Sequence, residues 1–285
     1  MIDTDPELSV VVTPVGGAPF VRKCLAALAP QTTGGRTETL VPFDATAPEV
    51  GALRTEFPEV RFVNMGQVKT QAPPGTQSSA HEIYDRRTAA ALNCASGRIV
   101  AMLQDYGVPA SDWRRQVLEA HELPYGAIGG AVEHRGGGAW NWAVYYLDFG
   151  RYQLPLREGP SAYLSDVNVS YKREVLEAVR PLWRDRYKEV TVNWALLQRG
   201  ETLWQRPQMV VYQERGPLRL KALAEERYCW GRLFGAIRAK ELSPWRRACY
   251  VVGSPGIPLV LLGRQARKML RSRRPLFSTL RHVPH

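Results

Sequence analysis

The amino-acid sequence predicts an α/β fold, a mostly parallel sheet with helices on its faces, and three observations lead to it. Short β-branched-rich runs recur at 8–12, 39–41, 60–63 and 99–103, each closed by Pro, Gly or polar residues. Helix-length segments separate them, at 19–28, 47–57 and 84–95. The alternation of strand and helix is the pattern of crossover-linked parallel strands. With 285 residues, 45% hydrophobic and 23% charged, the chain is long enough for one large globular domain plus an appendage.

Taken in order, "LSVVV" is a buried strand, and 19–28 places apolar residues at helical spacing. The second strand runs into "LVPFDA", and the third follows a looser helical stretch. The interval 66–80, "GQVKTQAPPGTQSSA", is polar and rich in Gly, Pro and Ser, and reads as a rim loop. The Ala-rich helix 84–95 stops at Gly97, and the fourth strand ends in "LQDYGVP". A helix from Trp113 to about His121 precedes "YGAIGGAVEH", a strand with glycines where something approaches closely. "GAWNWAVYYLDFGRY" holds six aromatics, suited either to core packing or to an acceptor-side platform carrying Trp140 and Trp142. Helices are expected at about 172–179 and 189–199, then a strand at 208–212 and a helical tail from 217 to about 240.

In such sheets ligands bind beyond the carboxyl ends of the strands. Thr13 and Pro14 close the first strand, Asp44 the second, and Gln104 and Asp105 the fourth. A carboxylate after the second strand suits a nucleobase or ribose, and one after the fourth suits ribose or a metal on a diphosphate.

"LSVVVTPV", "VPFDA" and "YDRRTAAALNCASGRIVAMLQDYGVPASDW" resemble the inverting family 2 glycosyltransferases of GT-A fold. "GGAVEH", "YLSDVNVSYKREVL" and "RYKEVTVNWALLQRGETL" extend the resemblance through about residue 213. It implies a GT-A type, Rossmann-like mixed sheet flanked by helices, with a basic helical C-terminal extension. The implied domains are 1–214, with a nucleotide half to about 110 and an acceptor half from 111, and 215–285. It implies transfer of a sugar from a nucleotide-diphosphate sugar to an acceptor hydroxyl, with a lipid-linked or envelope glycan as acceptor. Pro14 and Asp44 would line the nucleotide pocket with Thr13 and Gln104, Arg87 would meet the diphosphate, and Asp105 would lie by the ribose and diphosphate. The family's arginine aligns at Thr88, so Arg87 serves only after a one-residue shift. Glu189 would be the catalytic base, or else a first-turn charge on the helix dipole. Asp166 and Asn168 would line the acceptor pocket or cap the helix that follows.

The family's metal, Mg²⁺ or Mn²⁺, would rest on Asp105. Where the family has acidic residues this chain reads Gln104, Asp105, Tyr106, and a neutral phenol is a poor ligand for either ion. Three outcomes are open: Asp105 and the phosphates hold the metal, basic side chains replace it, or the chain is a pseudoenzyme or binding protein without transfer.

The +11 formal charge is not spread evenly. From 215 onward there are 16 Lys and Arg against 3 Asp and Glu, and before it 22 against 24. The tail also holds the uncharged run "ACYVVGSPGIPLVLL", too short and too Pro-broken to span a bilayer. Its flanking cations, Arg246, Arg247, Arg264, Arg267, Lys268, Arg271, Arg273 and Arg274, suit an anionic membrane surface or, alternatively, the solvated basic face of a helix packed on the parent domain, and the apolar run argues against nucleic acid. The four cysteines are scattered without metal spacing, and no secretory leader is expected. The expected location is cytoplasmic, peripheral on the inner membrane face, and the Arg, Ala and Gly content fits a bacterial source.

Overall fold

The computed structural model describes residues 6–216, 220–240, 242–257, 259–260, 263 and 267. Arg264, Lys268, Arg271, Arg273 and Arg274 lie outside them. Two compact units emerge, one of 6–135 with 152–214, the other of 136–151 with the described residues from 215 onward.

The first unit is built on one mixed sheet. Its strands are β1 (Leu8–Thr13), β2 (Thr37–Phe43), β3 (Val60–Asn64), β4 (Ile99–Gln104), β5 (Gly107–Pro109), β6 (Ala127–His134), β7 (Gly159–Pro160), β8 (Asn168–Lys172) and β9 (Leu203–Gln213). The order is β3-β2-β1-β4-β8-β6-β9-β5, with β7 also on β9. β3, β2, β1 and β4 are parallel, β8 runs antiparallel to β4 and β6, and β9 runs parallel to β6.

Alternation along β1 explains the layers, because side chains of a strand point to opposite faces in turn. Leu8, Val10 and Val12 pack with α1 (Ala18–Thr32), α2 (Pro48–Ala52) and α4 (Trp113–Ala120). Val11 faces the other core, made with α3 (Gln77–Cys94), α6 (Arg173–Glu177) and α7 (Glu189–Gln198). Both faces of the sheet are therefore covered, as buried parallel strands require.

Two sequence expectations change here. The loop expected to run to Ala80 gives way to helix at Gln77, because the Thr76 hydroxyl caps α3 by accepting from Ser79 N at 3.2 Å. Residues 168–172 form a central strand, so Asn168 caps no helix. Asn168 is 1% exposed, and its amide joins three elements at the centre of the fold. Its Oδ1 accepts from Trp113 Nε1 at 2.9 Å, while Nδ2 donates to Ala131 O at 2.9 Å and Met209 O at 2.8 Å. Both amide protons are engaged where the β6–β9 register shifts after Gly130. A Cβ on Gly130 would meet Met209 O at 2.1 Å, so only glycine permits that approach.

The second unit contains α5 (Ala139–Asp148), α8 (Leu220–Lys240) and α9 (Pro244–Gly253). Asp148 at the end of α5 pairs with Arg227 of α8 and lies 3.8 Å from Arg215. Asn141 donates to the carbonyls of Arg215 and Gly216. Among the described residues no helix is long and apolar enough to cross a membrane.

Replacing Asn168 by Leu leaves two buried carbonyls and the Trp113 N–H without partners, each costing about 1–3 kcal/mol. Urea unfolding of Asn168→Leu is therefore expected to show a loss of about 3 kcal/mol or more. A loss under about 1 kcal/mol would contradict the junction role.

Candidate active site

The four parallel strands end on one edge, and α3 crosses that edge with Tyr84, Arg87 and Thr88 at i, i+3 and i+4, on one face of the helix. Arg87 is buried and reaches the ends of two strands. Its Nε donates to Asp44 Oδ2 at 2.6 Å, Nη1 to Pro14 O at 2.9 Å, and Nη2 to Thr46 Oγ1 at 3.0 Å. The other Asp44 oxygen accepts from Thr46 N at 2.7 Å and Thr46 Oγ1 at 2.6 Å. Burial works to raise the Asp44 carboxyl, but Arg87 and Thr46 outweigh it and hold the group below its usual range. Thr88, where the family pattern aligns its arginine, instead meets Thr13, hydroxyl to hydroxyl at 3.0 Å. Thr13, Pro14, Asp44 and Arg87 thus come together, with Thr46 and Thr88 added.

Asp105 stands at the end of β4, 1% exposed, and is turned into the backbone of the β1–α1 turn. Gly16 N donates to its Oδ2 at 2.8 Å, and the N–H groups of Val15, Gly17 and Tyr106 also bear on the carboxyl. Burial nonetheless pushes it up to about 6. Tyr106 packs edge-on against Phe20 with centroids 4.8 Å apart, closing the same turn from above. A Cβ on Gly16 would lie 2.4 Å from both rings, which explains glycine there. Gln104 precedes Asp105 with its Oε1 buried and unpartnered.

These residues do not fit a protein-held divalent cation. The motif supplies a single carboxyl, whose Oδ2 accepts from Gly16 N while its Oδ1 is buried without a hydrogen-bond partner, and its neighbours are an amide and a phenol, so this chain offers a cation at most one carboxylate. Among the described residues no group of three His, Cys, Asp or Glu side chains could hold a metal.

Further along α3 lies a second cluster. Glu189 opens α7, its Oε1 accepting from Tyr163 OH at 2.6 Å and its Oε2 from Asp166 N at 2.8 Å. Asp166 Oδ2 accepts from Tyr84 OH at 2.8 Å, and the Asp166 and Glu189 carboxyls are close enough to share a hydrogen bond. Burial first, then the charge of Asp166, pushes Glu189 well above the carboxylate range, and burial raises Asp166 as well. Two facing buried carboxyls cannot both ionise cheaply, so the pair holds protons more tightly than free carboxyls do. Asp85, one residue from Tyr84, is pushed up to about 7 by burial despite Arg186 at 3.2 Å. Asn168 lies apart, in the core junction described above. Trp140 and Trp142 sit on α5 of the other unit, where Trp142 packs against Tyr145 and Tyr146.

No family model and no curated protein matches the sequence. Among solved structures the chain is similar to TarS 1–349 of S. aureus in complex with UDP-GlcNAc, with a TM-score of 0.54 and 11% identity over 75% of this chain and 59% of that one. The fold is GT-A-like. TarS 1–349 without that ligand gives a TM-score of 0.50 at 12% identity, covering 73% and 60% of the two chains. A mannosyltransferase, PcManGT of Pyrobaculum calidifontis, in complex with GDP-Man and Mn²⁺, gives 0.49 at 14%, covering 96% and 88%. The chain thus spans about 60% of the length of TarS 1–349.

In the GT-A-like sheet the Asp44–Arg87 edge and the Asp166–Glu189 pair are joined by one helix. Sequence reading missed Tyr84, Thr46 and Tyr163; only the i, i+3, i+4 spacing of Tyr84, Arg87 and Thr88 offered a signal.

Two outcomes follow. Calorimetry with UDP and GDP is expected to return the same Kd with and without Mn²⁺, and strict dependence on the metal would overturn the assessment of Asp105. A carboxyl raised in the folded state stabilises below its unfolded value, and that stability is lost as pH rises through the folded one. For Asp105 the window runs from about 4 to about 6, with a loss on the order of 3 kcal/mol. Asp105→Asn is expected to flatten the fall in unfolding free energy across that window. An unchanged slope would contradict the raised value.

Proposed function

We propose that this protein is an inverting glycosyltransferase of family 2 type. It moves a sugar, a hexose or a close relative, from a nucleotide-diphosphate sugar to an acceptor hydroxyl. The acceptor proposed is a lipid-linked or envelope glycan. One observation carries the reading: α3 joins a polar rim at the ends of β1 and β2 to a buried carboxyl pair, as a two-substrate transfer requires. The similarity to TarS 1–349, whose structure is known with UDP-GlcNAc, supports a nucleotide sugar as the donor.

In this reading the nucleotide lies on the rim of Thr13, Pro14 and Asp44, with Gln104 and Asp105 at its diphosphate side. Asp44 and Arg87 act chiefly by holding that rim in shape, since their charges already face each other. The Asp166–Glu189 pair, carrying one negative charge, is the base. The acceptor oxygen attacks the anomeric carbon from the face opposite the diphosphate. An oxygen–carbon bond forms, the carbon–oxygen bond to phosphate breaks, and the acceptor proton passes to the pair. Tyr163 and Tyr84 each donate to one carboxyl and orient it. Acceptor-side roles for Trp140 and Trp142 belong to the same proposal, as does the division at about residue 214.

A second reading, a nucleotide-binding protein of the same fold without transfer, is favoured by one observation: Gln104 and Tyr106 replace acidic residues and Asp105 is tied to a turn. Glu189→Gln separates the two. If Glu189 is the base, the substitution lowers kcat by about 10²–10⁴-fold and leaves nucleotide Kd unchanged. Because the base is the pair with one negative charge, wild-type kcat is expected to fall as pH is lowered and the pair takes up its second proton. A transfer rate unaffected by Glu189→Gln would remove the proposed base. Nucleotide binding with no turnover of any donor would favour the second reading.

A further inference from the structure

The second unit presents a surface that the transfer reaction does not use. α9 reads "PWRRACYVVG", with Trp245, Ala248, Cys249 and Val252 at i, i+3, i+4 and i+7, which places them in one stripe. Arg247 and Tyr250 fall on the opposite side, and Arg246 and Val251 flank the stripe. Among the described residues nothing covers the stripe: Trp245 is 77% exposed, Val252 81%, and Val251 at its edge 72%. Ile257, Leu259 and Val260, just beyond, are exposed as well.

Contacts on the polar side fix which way the helix faces. Arg238 of α8 donates from Nη2 to Tyr250 OH at 3.0 Å, with its guanidinium 5.3 Å from the ring centroid. Arg247 Nε donates to Leu242 O at 3.0 Å, anchoring the start of α9. The polar face is thereby tied to α8, and the apolar stripe turns away from it. Contiguous exposed apolar surface of this kind marks an interaction site.

We propose that α9 lies flat in the interface of an anionic lipid bilayer, with Trp245, Ala248 and Val252 among the acyl chains and Arg246 and Arg247 at the headgroups. Charge selects this occupant over a second copy of the chain. The region from 215 onward carries 16 basic against 3 acidic residues, so pairing two such surfaces brings like charges together, whereas an anionic bilayer opposes them. α9 has 10 residues, enough to lie in an interface and too few to cross it. The inference is independent of the transfer reaction and stands or falls without it.

The test is flotation of the full chain with phosphatidylcholine vesicles, with and without phosphatidylglycerol, paired with sizing by light scattering. The chain is expected to float with the anionic vesicles, to be released by raised salt, and to stay behind with the neutral ones. Trp245→Ser and Val252→Ser are each expected to weaken partition by about tenfold, and Arg246→Glu with Arg247→Glu to abolish it. Trp245 and Val252 are exposed, so circular dichroism and the unfolding midpoint of their serine variants should match wild type. Failure to float on anionic vesicles, equal flotation on neutral ones, or wild-type flotation of the variants would each overturn the proposal. So would a dimer that persists on vesicles and dissociates with Trp245→Ser, because the stripe would then belong to a second copy.

Discussion

A guanidinium cannot sit in a folded interior unpaired, and Arg87, 7% exposed, meets that requirement by gathering the ends of two strands around itself. Asp44 balances its charge, while Pro14 and Thr46 each accept from one of its two terminal nitrogens. The consequence reaches past the pair. Fixing Arg87 fixes the rotation of α3, and on a helix the neighbours three and four positions away are fixed with it. Tyr84 is thereby delivered to Asp166 and Thr88 to Thr13. The rim proposed for the nucleotide and the proposed base are set by one helix held by one buried ion pair.

The carboxyls of this edge divide by environment. Asp44 faces a cation and stays ionised, whereas Asp105 and the Asp166–Glu189 pair are buried with N–H or O–H donors and no facing cation of comparable strength, so they hold protons more tightly. A charged carboxylate can brace an arginine, and a proton-sharing pair can take up a proton at the moment of attack. Asp105 does neither. It shapes the turn after β1, and Tyr106 and Phe20 close over that turn. The motif that resembles a metal site is, in this chain, a brace for the loop on which the donor would rest.

Much of the sheet was legible in the sequence, because parallel strands buried on both faces read as short apolar runs between helices. β1 to β4 and their helices appear where the pattern placed them. β8 did not, because "NVSYK" passes into helix at Arg173 with no turn residue between, and Asn168 resembles a helix cap when its partners are out of view. β5, with three residues, is too short for any periodicity to show. Site residues at strand ends could be named from position alone. Their partnerships could not: Arg87 and Asp44 lie 43 residues apart and Asp166 and Glu189 lie 23 apart, separations at which no spacing rule applies. The unsuitability of Tyr106 as a ligand was legible, since it follows from the side chain itself. That Asp105 turns inward was not, because it depends on the backbone of a distant loop.

A carboxyl pair acting as base opposite a departing diphosphate leaves a signature in the product. Proton NMR of the sugar first released from a nucleotide sugar, read before the anomers equilibrate, reports the configuration at the anomeric carbon. Inversion is the result expected from a single displacement assisted by Asp166 and Glu189, and retention would contradict it.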